Sequence, residues 1–142
     1  MRLTRMSRCA TRALFDLAYY SDGLPIQAKV VALRQDIPLR FLEQIFHKLK
    51  HADMVRSIKG PRGGYLLARD PRNITVREII TTVREPLAIV HCVADPTRCS
   101  RATHCITRLV WEEASAMLNT FFDSVSVGDL CERGKDMGLQ KA

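Results

Sequence analysis

Cys92, Cys99 and Cys105 fall within one fourteen-residue stretch with the spacing C-x6-C-x5-C. Thiolates are the soft ligands of iron and zinc. Three of them gathered on a polar segment with Asp95, Pro96 and Arg98 predict a metal centre, with an iron-sulfur cluster ahead of zinc. The spacing is wider than the C-x2-C pairs of zinc knuckles, and no fourth cysteine stands beside the three. A chance grouping, or a disulfide formed under stress, is the plain alternative. The other two cysteines read differently. Cys9 lies four residues from Ala13 on a helical pattern and reads as a small core residue, while Cys131 reads as a free thiol in a C-terminal tail.

The elements that must position these thiols begin with a basic half. Residues 1 to 75 carry 14 Lys and Arg against 6 Asp and Glu, whereas residues 76 to 142 carry 8 against 9. All of the net charge of +7 therefore belongs to the first half, which is the candidate surface for a phosphate backbone. A chain of 142 residues is long enough for one domain with an appended pairing element. No segment is apolar for the length of a bilayer, and the opening residues have no apolar run, so the reading is of a cytoplasmic protein whose thiols stay reduced.

Apolar residues at three- and four-residue spacings predict a helix from about Ser7 to Tyr20, stopped by Ser21-Asp22-Gly23 and Pro25. A short helix follows over residues 27 to 35. Asp36-Ile37-Pro38 breaks it, and Leu39, Leu42, Ile45, Phe46 and Leu49 mark a third. Two short helices joined by so tight a turn form a helix-turn-helix pattern. Met54 to Ile58 and Tyr65 to Ala68 then alternate as two strands around GPRGGY, a hairpin wing with Lys59 and Arg62 at its tip. Gly60, Gly63 and Gly64 are expected to permit close approach to a phosphate or groove. Neither nucleotide-loop glycine pattern is present.

Arg40, Glu43, Gln44, His47 and Lys48 lie on the polar face of the third helix, opposite Leu42, Ile45, Phe46 and Leu49. Arg and Gln match guanine and adenine edges, and a carboxylate can accept from cytosine, so the early residues can read a major groove. Glu43 admits two roles: selecting a base, or pairing with His47 or Lys48 at helical spacing. Beyond the wing, Thr75 and Glu78 predict a capping box for a helix to Val83, which Pro86 ends. After the cysteine segment, a long helix from about His104 to Phe122 presents Ile106, Leu109, Val110, Ala114, Met117, Leu118 and Phe121 as one stripe, widened by Trp111 and Phe122. A second copy of the chain is the expected partner for it, and packing back on its own domain is the alternative.

The opening MRLT, the segment Phe41-Leu42-Glu43-Gln44-Ile45-Phe46, the wing GPRGGYLLARDP, the helix at Val76 and the three-cysteine segment together resemble the Rrf-two family of winged-helix regulators. The resemblance runs from Met1 to about Leu130, and the three cysteines match the cluster-binding branch. It implies a homodimeric transcription factor. The third helix would enter the major groove and the wing the flanking minor groove of double-stranded DNA at a palindromic operator. By position, Arg40, Glu43 and Gln44 would read bases and Lys59 would contact DNA from the wing. A cluster near the dimer helix would bias the heads. The fold expected is mainly α with a small β wing: a winged helix-turn-helix domain at 1–85, a cluster-binding loop at 86–104, and a dimerisation helix with a tail at 105–142.

One position departs from the family. Iron-sulfur assembly regulators carry a histidine three residues after the third cysteine; Arg108 stands there and cannot deprotonate to bind iron. Other relatives borrow an acid from the partner's first helix, where Arg8 stands here. His104 is the first candidate for a fourth ligand. His91, Asp95, the partner's Cys9, an external thiol or water are the others. Three thiolates and one weak ligand suit an exposed iron that meets oxygen or nitric oxide, with a four-iron cluster favoured over a two-iron one. The expected function is a regulator, not an enzyme, that senses iron-sulfur status, redox state or nitric oxide. Its rivals are a zinc-bound or metal-free regulator with a thiol switch, and an electron carrier, which would leave the basic half unused.

Overall fold

The computed structural model describes residues 2–83 and 87–141. It contains α1 (Arg5–Tyr20), α2 (Ala28–Gln35), α3 (Leu39–His51), β1 (Val55–Ile58), β2 (Gly64–Leu67), α4 (Val76–Thr82), α5 (His91–Ala94), α6 (Ile106–Ser124) and α7 (Val127–Asp136), with single 3-10 turns at Pro71–Asn73 and Pro96–Arg98. The mainly helical class and the two-stranded wing agree with the sequence. The expected helix stop at Pro86 lies outside the described residues.

The head is built around α1. Leu14 and Leu17 of that helix meet Val31 of α2, Leu42, Ile45, Phe46 and Leu49 of α3, and Ile74 and Ile79, all fully buried. Thr4 starts α1 two residues earlier than the apolar pattern does, because its hydroxyl accepts the Ser7 backbone N–H at 3.2 Å. The turn between α2 and α3 is made by Asp36, whose φ of 53° reverses the chain while its N–H bonds back to the Ala32 carbonyl. Asp tolerates this left-handed conformation better than most residues. Pro38 then opens α3.

The wing is anchored more firmly than a free hairpin. β1 and β2 pair antiparallel with Val55 opposite Leu67 and Ile58 opposite Gly64. Tyr65 exchanges both backbone hydrogen bonds with Ile26, at 2.8 and 3.0 Å, and stacks its ring on Phe46 at 4.3 Å. The wing therefore takes its pose from Ile26, just ahead of α2, and from Phe46 of α3. This corrects the expectation for the glycines. A Cβ at Gly64 would lie 2.4 Å from the Ile26 carbonyl, and one at Gly63 would lie 2.0 Å from the Ile58 oxygen. Both are small for internal packing, and Gly60, with open space around it, is the one of the three free to meet a ligand.

Two further elements differ from expectation. Thr75 caps α4 by accepting from the Glu78 N–H, but Glu78 does not return the bond. Its carboxylate is taken by Arg69 at 2.7 and 3.3 Å, and Arg69 also donates to the Asp53 carbonyl, so one guanidinium ties wing, α3 end and α4 together. Residues 127–136, read as a tail, form α7. Ser126 and Asp129 cap it reciprocally, and Asp129 is held below the usual carboxylate range by the backbone N–H and hydroxyl of Ser126. α7 returns to the head and packs on α1, with Gly134 against Phe15 and Tyr19.

Candidate nucleic-acid interface and cysteine segment

Burial of Leu42, Ile45, Phe46 and Leu49 forces the opposite side of α3 outward. Arg40, Glu43, Gln44, His47 and Lys48 are thereby brought together, lining one shallow open hollow with Met6 of α1. Glu43 makes no ion pair among the described residues, so the pairing with His47 or Lys48 does not form. His47 instead meets His51, one turn on. Lys59 and Arg62 are exposed at the hairpin tip, on either side of Gly60. The sequence reading missed His51, whose signal was its four-residue spacing from His47. The guanidinium of Arg5 lies 5.2 Å from the Phe41 ring centre, a contact from α1 to α3 that no pattern in the sequence foretells.

The cysteine segment is not an open loop. Cys92 lies in α5, Cys99 closes the 3-10 turn and Cys105 is the N-cap residue of α6. Arg108, the residue in place of the family's histidine, donates to the Cys92 carbonyl at 3.2 Å and pairs with Glu112. It works as a brace from α6 to α5. The Cys105 thiol is lowered from its ordinary pKa, first by the Thr107 hydroxyl and then by the Arg108 backbone N–H, which favours the thiolate a metal needs. In kind, the donors suit an iron-sulfur cluster: Cys92, Cys99 and Cys105 are partly exposed and unbridged. In position they do not yet converge, since no three His, Cys, Asp or Glu side chains among the described residues come together as a metal site. His104 turns its Nδ1 to the Thr103 hydroxyl at 2.9 Å. Cys9 is buried in the head core and Cys131 is half-buried on α7, its thiol pushed up by burial.

α6 is held to the head by its polar side. Ser115 is buried and accepts the Ile89 N–H, while Asn119 donates to the Leu87 carbonyl and accepts from Arg77 of α4. The opposite side stays open: Ile106 is 76% exposed, Met117 73%, Val110 55% and Phe121 55%. Contiguous apolar area of this kind on one helix is characteristic of an interaction surface. No helix among the described residues is long and apolar enough to cross a membrane.

A family described as "Iron-dependent Transcriptional regulator", Rrf2, matches residues 3–133. The putative HTH-type transcriptional regulator ORF2 of Azotobacter vinelandii is 36% identical over 133 residues, 94% of this chain and 80% of the relative. The HTH-type transcriptional regulator IscR of Aliivibrio salmonicida is 35% identical over 130 residues, 92% of this chain and 77% of its own. Among solved structures, T. potens IscR superposes with a TM-score of 0.81 at 27% identity, over 100% of this chain and 94% of that one. CymR of B. subtilis, described as its global cysteine regulator, gives 0.79 at 26%, over 94% and 98%. With its helix-turn-helix, its wing and a match along nearly its whole length, the chain belongs to the Rrf2 family of DNA-binding transcriptional regulators and is not an enzyme.

Proposed function

We propose that the protein is a cytoplasmic homodimer that binds a palindromic operator with an affinity set by an iron-sulfur cluster on Cys92, Cys99 and Cys105. The carrying observation is the place of those thiols, on the segment that leads into the N-terminal end of the exposed apolar helix α6. Bound there, a cluster supplies an oxidant- or nitric-oxide-sensitive link between parts of that segment. The chain's own residues do the rest. Arg40, Glu43 and Gln44 face base edges, and the lack of an ion pair on Glu43 among the described residues favours its base-selecting role. His47, Lys48, Lys59 and Arg62 face phosphates or groove walls. Arg108 braces α5 against α6, so a change in the cysteine segment reaches the helix that spaces the two heads.

A two-fold dimer reads half-sites about one helical turn apart, so small changes in head separation alter affinity without altering any base contact. Operator affinity should differ on the order of 100-fold between loaded and cluster-free protein, a coupling of about 3 kcal/mol. Both forms should have the mass of a dimer, because the exposed stripe of α6 does not include the ligands. Equal affinities would remove the sensor function; a cluster-free monomer would move the switch from head geometry to assembly.

The division of labour on the head has its own test. Lys59→Ala and Arg62→Ala should weaken binding to all sequences, each lowering the logarithmic salt slope by about 0.9. Arg40→Ala and Gln44→Ala should relax sequence preference, with a loss of roughly 1–3 kcal/mol per base contact on the specific site. Competition binding on specific and random duplexes across a salt series checks both. Identical profiles for the two groups would refute the assignment.

One observation favours a second reading. Cys105, partly exposed and unbridged with its thiol lowered by the Thr107 hydroxyl, suits a metal-free regulator that responds through thiol oxidation. A colourless protein after anaerobic purification, still binding its operator and changing affinity on thiol oxidation, would establish it instead.

A further inference from the structure

We infer that His47 and His51 form a two-imidazole site for a divalent first-row transition ion on the exposed side of α3. The two residues are four apart on one helix, and their Nε2 atoms stand 3.1 Å from one another. Metal–imidazole bonds are about 2.0–2.1 Å long, which puts two nitrogens on one ion about 2.9 Å apart at a right angle and about 3.4 Å apart at a tetrahedral one. The observed spacing lies between those limits. The rings are nearly perpendicular, at 84°, with centres 4.4 Å apart. Two histidines at this helical spacing are the same element that holds zinc in helical metal sites generally.

The surroundings select the class of ion. Both histidines are exposed, so binding requires little desolvation. No third His, Cys, Asp or Glu joins them among the described residues, which leaves the remaining coordination positions to water. A site without carboxylates, with Lys48, Ala52 and Thr82 lining the same hollow, is a poor one for calcium or magnesium. Neutral imidazoles suit copper, nickel and zinc, in the order of affinity expected for nitrogen ligands. The site stands on the surface used for DNA in the proposed complex, but its test does not depend on that reading. The alternative for the 3.1 Å contact is an imidazole–imidazole hydrogen bond alone.

The cysteines compete for the same ions, so the measurement must resolve individual residues. Paramagnetic Ni2+ is titrated into the full-length protein while the ring resonances of each histidine are followed by NMR. His47 and His51 should broaden together. In His47→Gln, His51 should need at least tenfold more Ni2+ to broaden, and the reciprocal should hold for His47 in His51→Gln. Gln is a good helix former at an exposed position, and an unchanged amide spectrum verifies the fold of each variant. If either ring broadens at the parent's Ni2+ concentration without the other, the two bind independently. The contact is then a hydrogen bond and no metal site.

Discussion

Arg34→Ala should lower the unfolding free energy by about 3–5 kcal/mol, because it strands a carboxylate in the head core. Asp16 of α1 is fully buried, and its two oxygens are held by Arg34 of α2 at 2.8 Å each, with Gln35 adding a third bond at 2.9 Å. Arg34 itself is 29% exposed and rests 4.0 Å from the Tyr20 ring centre. The pair is therefore asymmetric. Removing the guanidinium leaves a buried charge with one amide partner, whereas Asp16→Ala leaves a cation that still reaches water and a ring face, at roughly 1–3 kcal/mol. Arg34 is raised from its ordinary pKa, first by the Asp16 hydrogen bond against the opposing effect of burial. A raised value in the folded state stabilises at every pH below the unfolded one, and stability is lost only as pH rises through the folded value. On the arginine side, the contribution should therefore be constant across the neutral range. Denaturant midpoints at unchanged slope measure both variants. An Arg34→Ala loss smaller than that of Asp16→Ala would show that water or a proton reaches the stranded carboxylate.

Alanine at any one of Cys92, Cys99 and Cys105 should bleach the anaerobically purified protein. With three strong ligands and a weak fourth, removal of one thiolate leaves too few to retain iron and sulfide. Cys9→Ala and Cys131→Ala should keep the colour, since Cys9 is packed in the core beside the Arg12 guanidinium and Cys131 lies on α7 against the head. Iron and sulfide per chain, read with the visible spectrum, decide each position separately. Full iron in any of the first three variants excludes that cysteine as a ligand, and loss of colour in either of the last two would overturn the assignment.

Local patterning carried most of the fold. The periods of α1, α3 and α6, the break at Asp36-Ile37-Pro38 and the alternation on both sides of GPRGGY depend on residues near one another in the chain, and these elements stand within a few residues of where the pattern puts them. So did the outward face of α3, because burying four apolar residues at helical spacing leaves Arg40, Glu43, Gln44, His47 and Lys48 no other side. α7 was illegible as part of the head. Its ten residues hold few large apolar side chains, and what seats it is the fit of Gly134 on Phe15 and Tyr19, more than a hundred residues away in the chain.

The residue types and spacings by themselves pointed to the family, to the mainly helical fold with its small wing and to the basic first half. The tertiary structure alone decided what each of several ambiguous side chains is for. Glu78 had a capping box open to it nearby, yet Arg69 claims its carboxylate, since a charged bidentate partner outcompetes a backbone N–H. Gly63 and Gly64 looked shaped for a ligand and are small because Ile58 and Ile26 pass against them. Arg108 looked like a missing ligand and is a brace between α5 and α6. In each case the outcome turned on which side chain or backbone the folded chain brought against the residue, a fact of three-dimensional packing that residue type alone does not encode.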